Sequence, residues 1–193
     1  MRKICGLVGS LRKGSFNRGL MLAAQDAGST VGLEVEIFER LDEIPLYNSD
    51  YDTDPLRPAS VNALKSAIAD ASGLIVATPE YNYSVPGGLK NAIDWASRPA
   101  GKSCLNRKPA AIMGASIGIS GTIRAQLALR QSFLHTDTFA LLQPEVLIPK
   151  CTDRFDENGI LVDQSTRDLV ARQMTKFAVW IDAVEAMVRA GAT

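Results

Sequence analysis

Two short stretches hold most of the side chains suited to gripping a ligand. The first, Gly9-Ser10-Leu11-Arg12-Lys13-Gly14-Ser15-Phe16-Asn17-Arg18, leads from an apolar run into a helical pattern. A helix start presents unsatisfied N–H groups and a partial positive charge, so acids are usual there. Here Arg12, Lys13 and Arg18 stand instead. Each cation costs about 0.3–1 kcal/mol in that position unless a bound anion reverses the sign, and Ser10, Ser15 and Asn17 add neutral donors. A phosphate accounts for all three observations. The stretch matches neither GxGxxG nor the P-loop pattern, and Arg18 occupies the place where a capping box after Ser15 would need Glu or Gln. The plain alternative is a serine-capped helix start with exposed cations.

The second stretch is Thr78-Pro79-Glu80-Tyr81-Asn82-Tyr83-Ser84-Val85-Pro86-Gly87-Gly88. Pro79 and Pro86 each lock their own torsion and push the preceding residue toward extended backbone, which stiffens the loop between them. A stiff loop can offer main-chain donors and acceptors in fixed order to the edge of a heterocycle such as the pyrimidine ring of a flavin. Gly87 and Gly88 in a first helical turn cost roughly 1 kcal/mol each relative to Ala, a cost that close approach by a ring or a partner subunit would explain. Tyr83 reads as a packing or interface residue. Glu80 has no histidine or second acid in its segment, so no acid–base role is assigned to it. No nucleophile, catalytic dyad or metal cluster stands out. The single histidine, His135, falls near a helix end and reads as structural; Cys5 reads as core, and Cys104 and Cys151 have no evident role.

Hydrophobic periodicity indicates the elements that must position these loops. Short apolar runs at residues 3–9, 31–38, 73–78, 109–115 and 146–148 read as strands, and helical spacing covers residues 17–27, 59–71, 86–95 and 121–135. A final stripe, Val170, Met174, Phe177, Ile181, Val184 and Val188, is the apolar face of a long helix. Five strands alternating with helices imply right-handed crossovers and a parallel sheet covered on both faces. Ligands of such sheets lie beyond the carboxyl ends of the strands, where the winding reverses. The loops after strands one, three and four are therefore the expected site.

Composition limits the alternatives. The chain has 193 residues, 46% hydrophobic and 22% charged, the average of a globular protein, and one domain spanning residues 1–193 is expected. No apolar run approaches the roughly 18 residues of a membrane span, so no membrane partner is expected. The apolar N-terminal run is broken at Ser10 and Arg12, unlike a secretory leader. Three cysteines at wide spacing and one histidine offer neither a disulfide framework nor a metal site, which points to a cytoplasmic protein. With 21 basic and 21 acidic residues and 6% aromatics, the chain lacks the footprint of a nucleic-acid binder. Its charge is nevertheless sorted. Five basic residues and no acid lie within residues 1–25, eight acids and one base within 34–54, and six basic residues and no acid within 95–136.

Together the first loop and Pro79-Glu80-Tyr81-Asn82-Tyr83-Ser84-Val85-Pro86-Gly87-Gly88-Leu89-Lys90-Asn91-Ala92-Ile93-Asp94-Trp95 resemble the NADPH-dependent FMN reductase family, whose members include chromate, quinone and azo reductases. The resemblance runs from the first strand through Phe155-Asp156-Glu157-Asn158-Gly159. It implies a flavodoxin-like three-layer α/β sandwich with a five-stranded parallel sheet. It also implies FMN as cofactor, NADPH or NADH as cosubstrate, a small-molecule electron acceptor and assembly into homodimers or homotetramers. In that family Ser10, Arg12, Ser15, Phe16 and Asn17 would hold the phosphate, Pro79, Glu80, Tyr81 and Asn82 would line the ring, and Ser116 and Gly118 would close over it. One position departs: Thr122 follows Gly121 where the family often has a second glycine, so the close approach is assigned to Gly118. Arg98, Arg107, Lys108 and Arg124 are candidates for nicotinamide cofactor phosphates or subunit contacts. Because FMN carries the redox chemistry, no catalytic side chain is expected. The rival readings are a flavodoxin-type electron carrier, disfavoured by the missing acidic surface, and a flavin-binding sensor without turnover.

Overall fold

The computed structural model describes residues 1–191. Its elements alternate as the periodicity predicts: β1 (Arg2–Val8), α1 (Phe16–Ser29), β2 (Leu33–Ile37), α2 (Ala59–Ala69), β3 (Gly73–Ala77), α3 (Gly87–Ala96), β4 (Pro109–Ala115), α4 (Ile123–His135), β5 (Phe139–Ala140), β6 (Val146–Ile148) and α5 (Gln164–Arg189). All pairings are parallel, in the order β2-β1-β3-β4, with β5 and β6 both lying beside β4. This is the flavodoxin-like doubly wound sheet.

Strand side chains alternate between two cores, which is why the strand sequences read as continuous apolar runs. Ile75 and Ala77 of β3 and Ala111, Met113 and Ala115 of β4 face α1 and α5, where Leu20, Met21, Met174, Phe177 and Ile181 meet them. Leu74, Val76, Ala110 and Ile112 face the opposite way, onto Val61, Leu64, Ile68, Trp95, Leu129 and Phe133 of α2, α3 and α4. Each core helix therefore buries one stripe.

The fifth sheet position differs from expectation. Residues 146–148 do form a strand, but β5 precedes it, pairing with Pro109 and Ala110 at the start of β4, while β6 pairs with Met113 to Ala115 at its end. Between them the chain leaves the sheet, and Ile112 lies opposite the gap. Gln173 of α5 fills it: its Nε2 donates to the Ile112 carbonyl at 2.9 Å and to that of Pro144 at 3.0 Å. From the other face, Gln126 Nε2 of α4 donates to the Val146 carbonyl at 3.0 Å. Two buried glutamines thus replace the missing rung of the ladder.

Candidate functional site

The loops after β1, β3 and β4 converge at the carboxyl edge of the sheet, where winding reverses between β1 and β3. The Gly9 N–H donates to the Ala77 carbonyl at 2.9 Å and that of Thr78 to the Met113 carbonyl at 2.9 Å, so each loop leaves from beside its neighbour. Gly114 is needed at this crossing, because a Cβ there would lie 2.0 Å from Thr122 Oγ1 and 2.5 Å from the Thr78 carbonyl oxygen.

In the first loop Ser15 caps α1, its Oγ accepting from the Arg18 N–H at 3.3 Å, with no acid in the first turn. Among the described residues, the main-chain N–H groups of residues 11–17 donate to no other group of the chain. Arg12 is exposed; its Nη2 donates to the Gly14 carbonyl at 2.9 Å and its guanidinium carbon lies 5.4 Å from the Phe16 ring centre. Lys13 is also exposed, and Ser10 is half-buried nearby. Free amides, a hydroxyl and two cations make a donor set suited to a phosphate.

Two residues are used differently from the expectation. Arg18 turns away to a bidentate pair with Glu39, at 2.7 and 2.6 Å, so its charge is answered outside the loop. Asn17 is buried and its side chain is not free for a ligand. Its Nδ2 donates to the Ala115 carbonyl at 3.0 Å and its Oδ1 accepts from the Ala115 N–H at 2.9 Å. Asn17 therefore staples the start of α1 to the end of β4, beside Ser116.

The second loop owes its stiffness to more than its prolines. Tyr81 and Ser84 exchange both main-chain hydrogen bonds, at 3.1 and 3.0 Å, around Asn82 (φ 49°) and Tyr83 (φ 67°). Two left-handed central residues define a type I′ turn. The guanidinium carbon of Arg124 lies 3.7 Å from the Tyr83 ring centre, a cation–π contact that supports the turn from below. Gly87 and Gly88 open α3, and a Cβ on either would meet nothing within 4 Å among the described residues, so none of these requires glycine there.

Glu80 is also not free, since its carboxylate is buried against α4. It accepts from the main-chain N–H of Arg124 (3.0 Å) and Ala125 (3.4 Å), from Arg124 Nε (2.6 Å) and Nη2, and from Ser120 Oγ (3.2 Å). Burial alone would raise the Glu80 carboxyl, but the bonds from Arg124 and the two amides outweigh it and hold the group below the ordinary carboxylate range. Only the main chain of Glu80 is left to serve as a ring contact.

In the third loop the Ser116 N–H donates to the Ile148 carbonyl and its own carbonyl accepts from Cys151, while its Oγ accepts from the Gly118 N–H at 3.1 Å. Ile117 and Ile119 are exposed on either side of Gly118. Thr122 adopts φ 72°, the left-handed conformation that favours glycine, and is fully buried with Oγ1 accepting from Gln126 Nε2 at 3.1 Å. The departure from the glycine pattern keeps the glycine backbone.

Several residues of the matching stretches support the site in ways that their types alone do not show. Asn91 and Trp95 of α3 clamp the connection after β2: Asn91 Oδ1 accepts from the Tyr47 N–H at 2.8 Å, and Trp95 Nε1 donates to the Pro45 carbonyl at 2.8 Å. The turn near Gly159 backs the first loop. Phe155 stacks on Phe16 at 5.0 Å between ring centres, and a Cβ on Gly19 would lie 2.1 Å from the Gly159 carbonyl oxygen.

A doubly wound parallel sheet with an anion-ready loop at its switch point and a rigid turn beside it defines a nucleotide-binding flavodoxin-like protein. The sequence profile of the NADPH-dependent FMN reductases matches residues 2–153. The chain is 45% identical to a 2-hydroxy-1,4-benzoquinone reductase of a Burkholderia species over 93% of its length and 96% of that protein. It is 44% identical to an NAD(P)H-dependent FMN reductase of Pseudomonas aeruginosa, over 93% and 95%. Among solved structures, FerB, a flavoenzyme NAD(P)H:(acceptor) oxidoreductase from Paracoccus denitrificans, superimposes with a TM-score of 0.85 at 36% identity, covering 95% of this chain and 98% of that one. The chain belongs to the NADPH-dependent FMN reductase family, and is an FMN-dependent oxidoreductase using NAD(P)H.

Proposed function

We propose that the whole chain works as one FMN-binding reductase domain, passing electrons from NADPH or NADH to a small-molecule acceptor: a quinone, a free flavin, an azo compound or a metal oxyanion. The observation that carries the site assignment is the row of unengaged N–H groups at residues 11–17 beside exposed Arg12 and Lys13. FMN, when bound, supplies reversible two-electron chemistry between a nicotinamide donor and an acceptor. The protein's own task is to bind, orient and shield.

In this reading the N–H groups around Ser15, Phe16 and Asn17, the Ser10 hydroxyl and the Arg12 guanidinium hold the phosphate. Pro79, Glu80, Tyr81 and Asn82 offer main-chain groups to the ring edge, and Ser116 and Gly118 cover it. Asn17 and Glu80 contribute through the main chain, their side chains being fixed elsewhere. The open space at Gly87 and Gly88 suits a group from outside the chain. Quinone acceptors are favoured by the benzoquinone reductase named above.

We further propose a cytoplasmic homodimer or homotetramer. Exposed Tyr81, Tyr83, Ile117, Ile119 and Leu127 surround the same edge of the sheet, an apolar surface suited to a subunit boundary. Among the described residues no helix is long and apolar enough to cross a membrane.

The test is the absorbance spectrum of FMN-loaded protein under anaerobic conditions before and after NADPH. Rapid bleaching supports the reductase, persistence of the yellow colour favours an electron carrier, and failure to bind FMN at all rejects the site.

A further inference from the structure

Helix α4 begins without a cap of its own. Its N-cap residue, Thr122, is left-handed and makes no capping bond with its side chain. The missing cap comes from another loop, because Glu80, 44 residues before Arg124 in the chain, accepts from the amides of the second and third helical residues. The same carboxylate takes the Ser120 hydroxyl from the third loop and the Arg124 guanidinium, which in turn lies against Tyr83. One buried side chain thus joins three structures: the turn at residues 81–84, the loop at residues 116–122 and the first turn of α4. A buried carboxylate with this many donors permits little play, since loss of any donor leaves charge uncompensated.

We infer that Glu80 is a positioning residue, whose carboxylate fixes the spacing between the second and third loops and thereby sets how firmly the ring end of FMN is held. This rests on the reading of the site given above. The phosphate end lies on a different loop, and Arg12 governs it separately. Loss of the Glu80 carboxylate therefore loosens ring binding while phosphate binding is unaffected.

The experiment compares wild type with Glu80→Gln, which keeps shape and removes charge. Apoprotein is titrated with FMN by fluorescence quenching, and inorganic phosphate is used as a competitor. The visible circular dichroism of bound flavin is recorded, and amide hydrogen exchange is followed in the apoprotein. In Glu80→Gln the FMN dissociation constant rises about tenfold or more, the flavin dichroism weakens and the phosphate competition constant is unchanged. Exchange quickens in residues 79–84 and 116–125 together, with α5 unaffected. The double variant Glu80→Gln/Arg124→Met loses less than the sum of the two single variants, because the two side chains share one ion pair. A folded Glu80→Gln protein with FMN affinity within about twofold of wild type and unaltered exchange overturns the inference, as does an equal loss of phosphate binding. If Glu80→Gln does not fold, Arg124→Lys is judged by the same criteria. Wild-type apoprotein that refuses FMN would instead overturn the reading on which the inference rests.

Discussion

At the scale of single residues, the proposed site separates groups free to meet a ligand from groups that hold the backbone in place. Arg12 belongs to the first kind: it is exposed and, among the described residues, its guanidinium donates only to the nearby Gly14 carbonyl. Arg12→Ala should raise the FMN dissociation constant about tenfold or more, the worth of one charge-assisted bond, with under about 0.5 kcal/mol lost in unfolding of the apoprotein. Titration and urea melts check this, and an unchanged dissociation constant removes Arg12 from the site. Residue types at 10, 12 and 15 pointed to this loop as the proposed phosphate site. The side-chain partners of 17, 18 and 80 were hidden, because a sequence does not show that Asn17 faces Ala115, that Arg18 finds Glu39, or that Glu80 reaches α4. Cys5 was legible as core, and burial pushes its thiol up to about 12. Its ordinary value of 9.0 holds in the unfolded chain, so the folded state favours the neutral thiol, and this contribution is complete below pH 9. It is lost as pH climbs toward the folded value, at about 1.4 kcal/mol per pH unit. Urea unfolding at pH 8 and 10.5 should show wild type losing stability relative to Cys5→Ala as pH rises.

At the scale of elements, the strands and helices were legible because both faces of the sheet are covered and each helix buries one stripe. The divided fifth strand was not. β5 is two residues long, too short for any periodicity, and the bonds that close the gap come from Gln173, 61 residues after Ile112. Gln173→Leu should cost about 1–3 kcal/mol by leaving the Ile112 and Pro144 carbonyls without their donor, measured by urea denaturation. Gln173→Glu would not rescue it, since a carboxylate brings acceptors where donors are needed. The type I′ turn at residues 81–84 was also hidden. Asn82 suits a left-handed position, but Tyr83 follows where glycine is usual, and the support of that turn by Arg124 depends on the tertiary fold.

At the scale of the whole molecule, zero net charge argued against a nucleic-acid partner, and the sorting of charge along the chain pointed to the first loop as the proposed anion site. The same sorting overstated the basic segment at residues 95–136. There Arg124 answers Glu80, and Lys108 donates to the Ala69 carbonyl at 3.2 Å and also to that of Ala71, at the end of α2. Neither is a free cation. The exposed apolar edge leads to a prediction at this scale. Light scattering should find a dimer or tetramer, and Leu127→Asp combined with Ile119→Asp should yield a smaller species with an unchanged far-ultraviolet spectrum. A monomeric wild type would reject the assembly.

The contact between the first loop and the turn near Gly159 bears on protein engineering. A Cβ on Gly159 would stand 3.3 Å from the Gly14 main chain, and one on Gly19 would strike the Gly159 carbonyl. The proposed phosphate-binding segment is therefore not a portable cassette. Transplanted to another scaffold it would lose this distant buttress, and in directed evolution Gly19 and Gly159 are the positions expected to resist substitution.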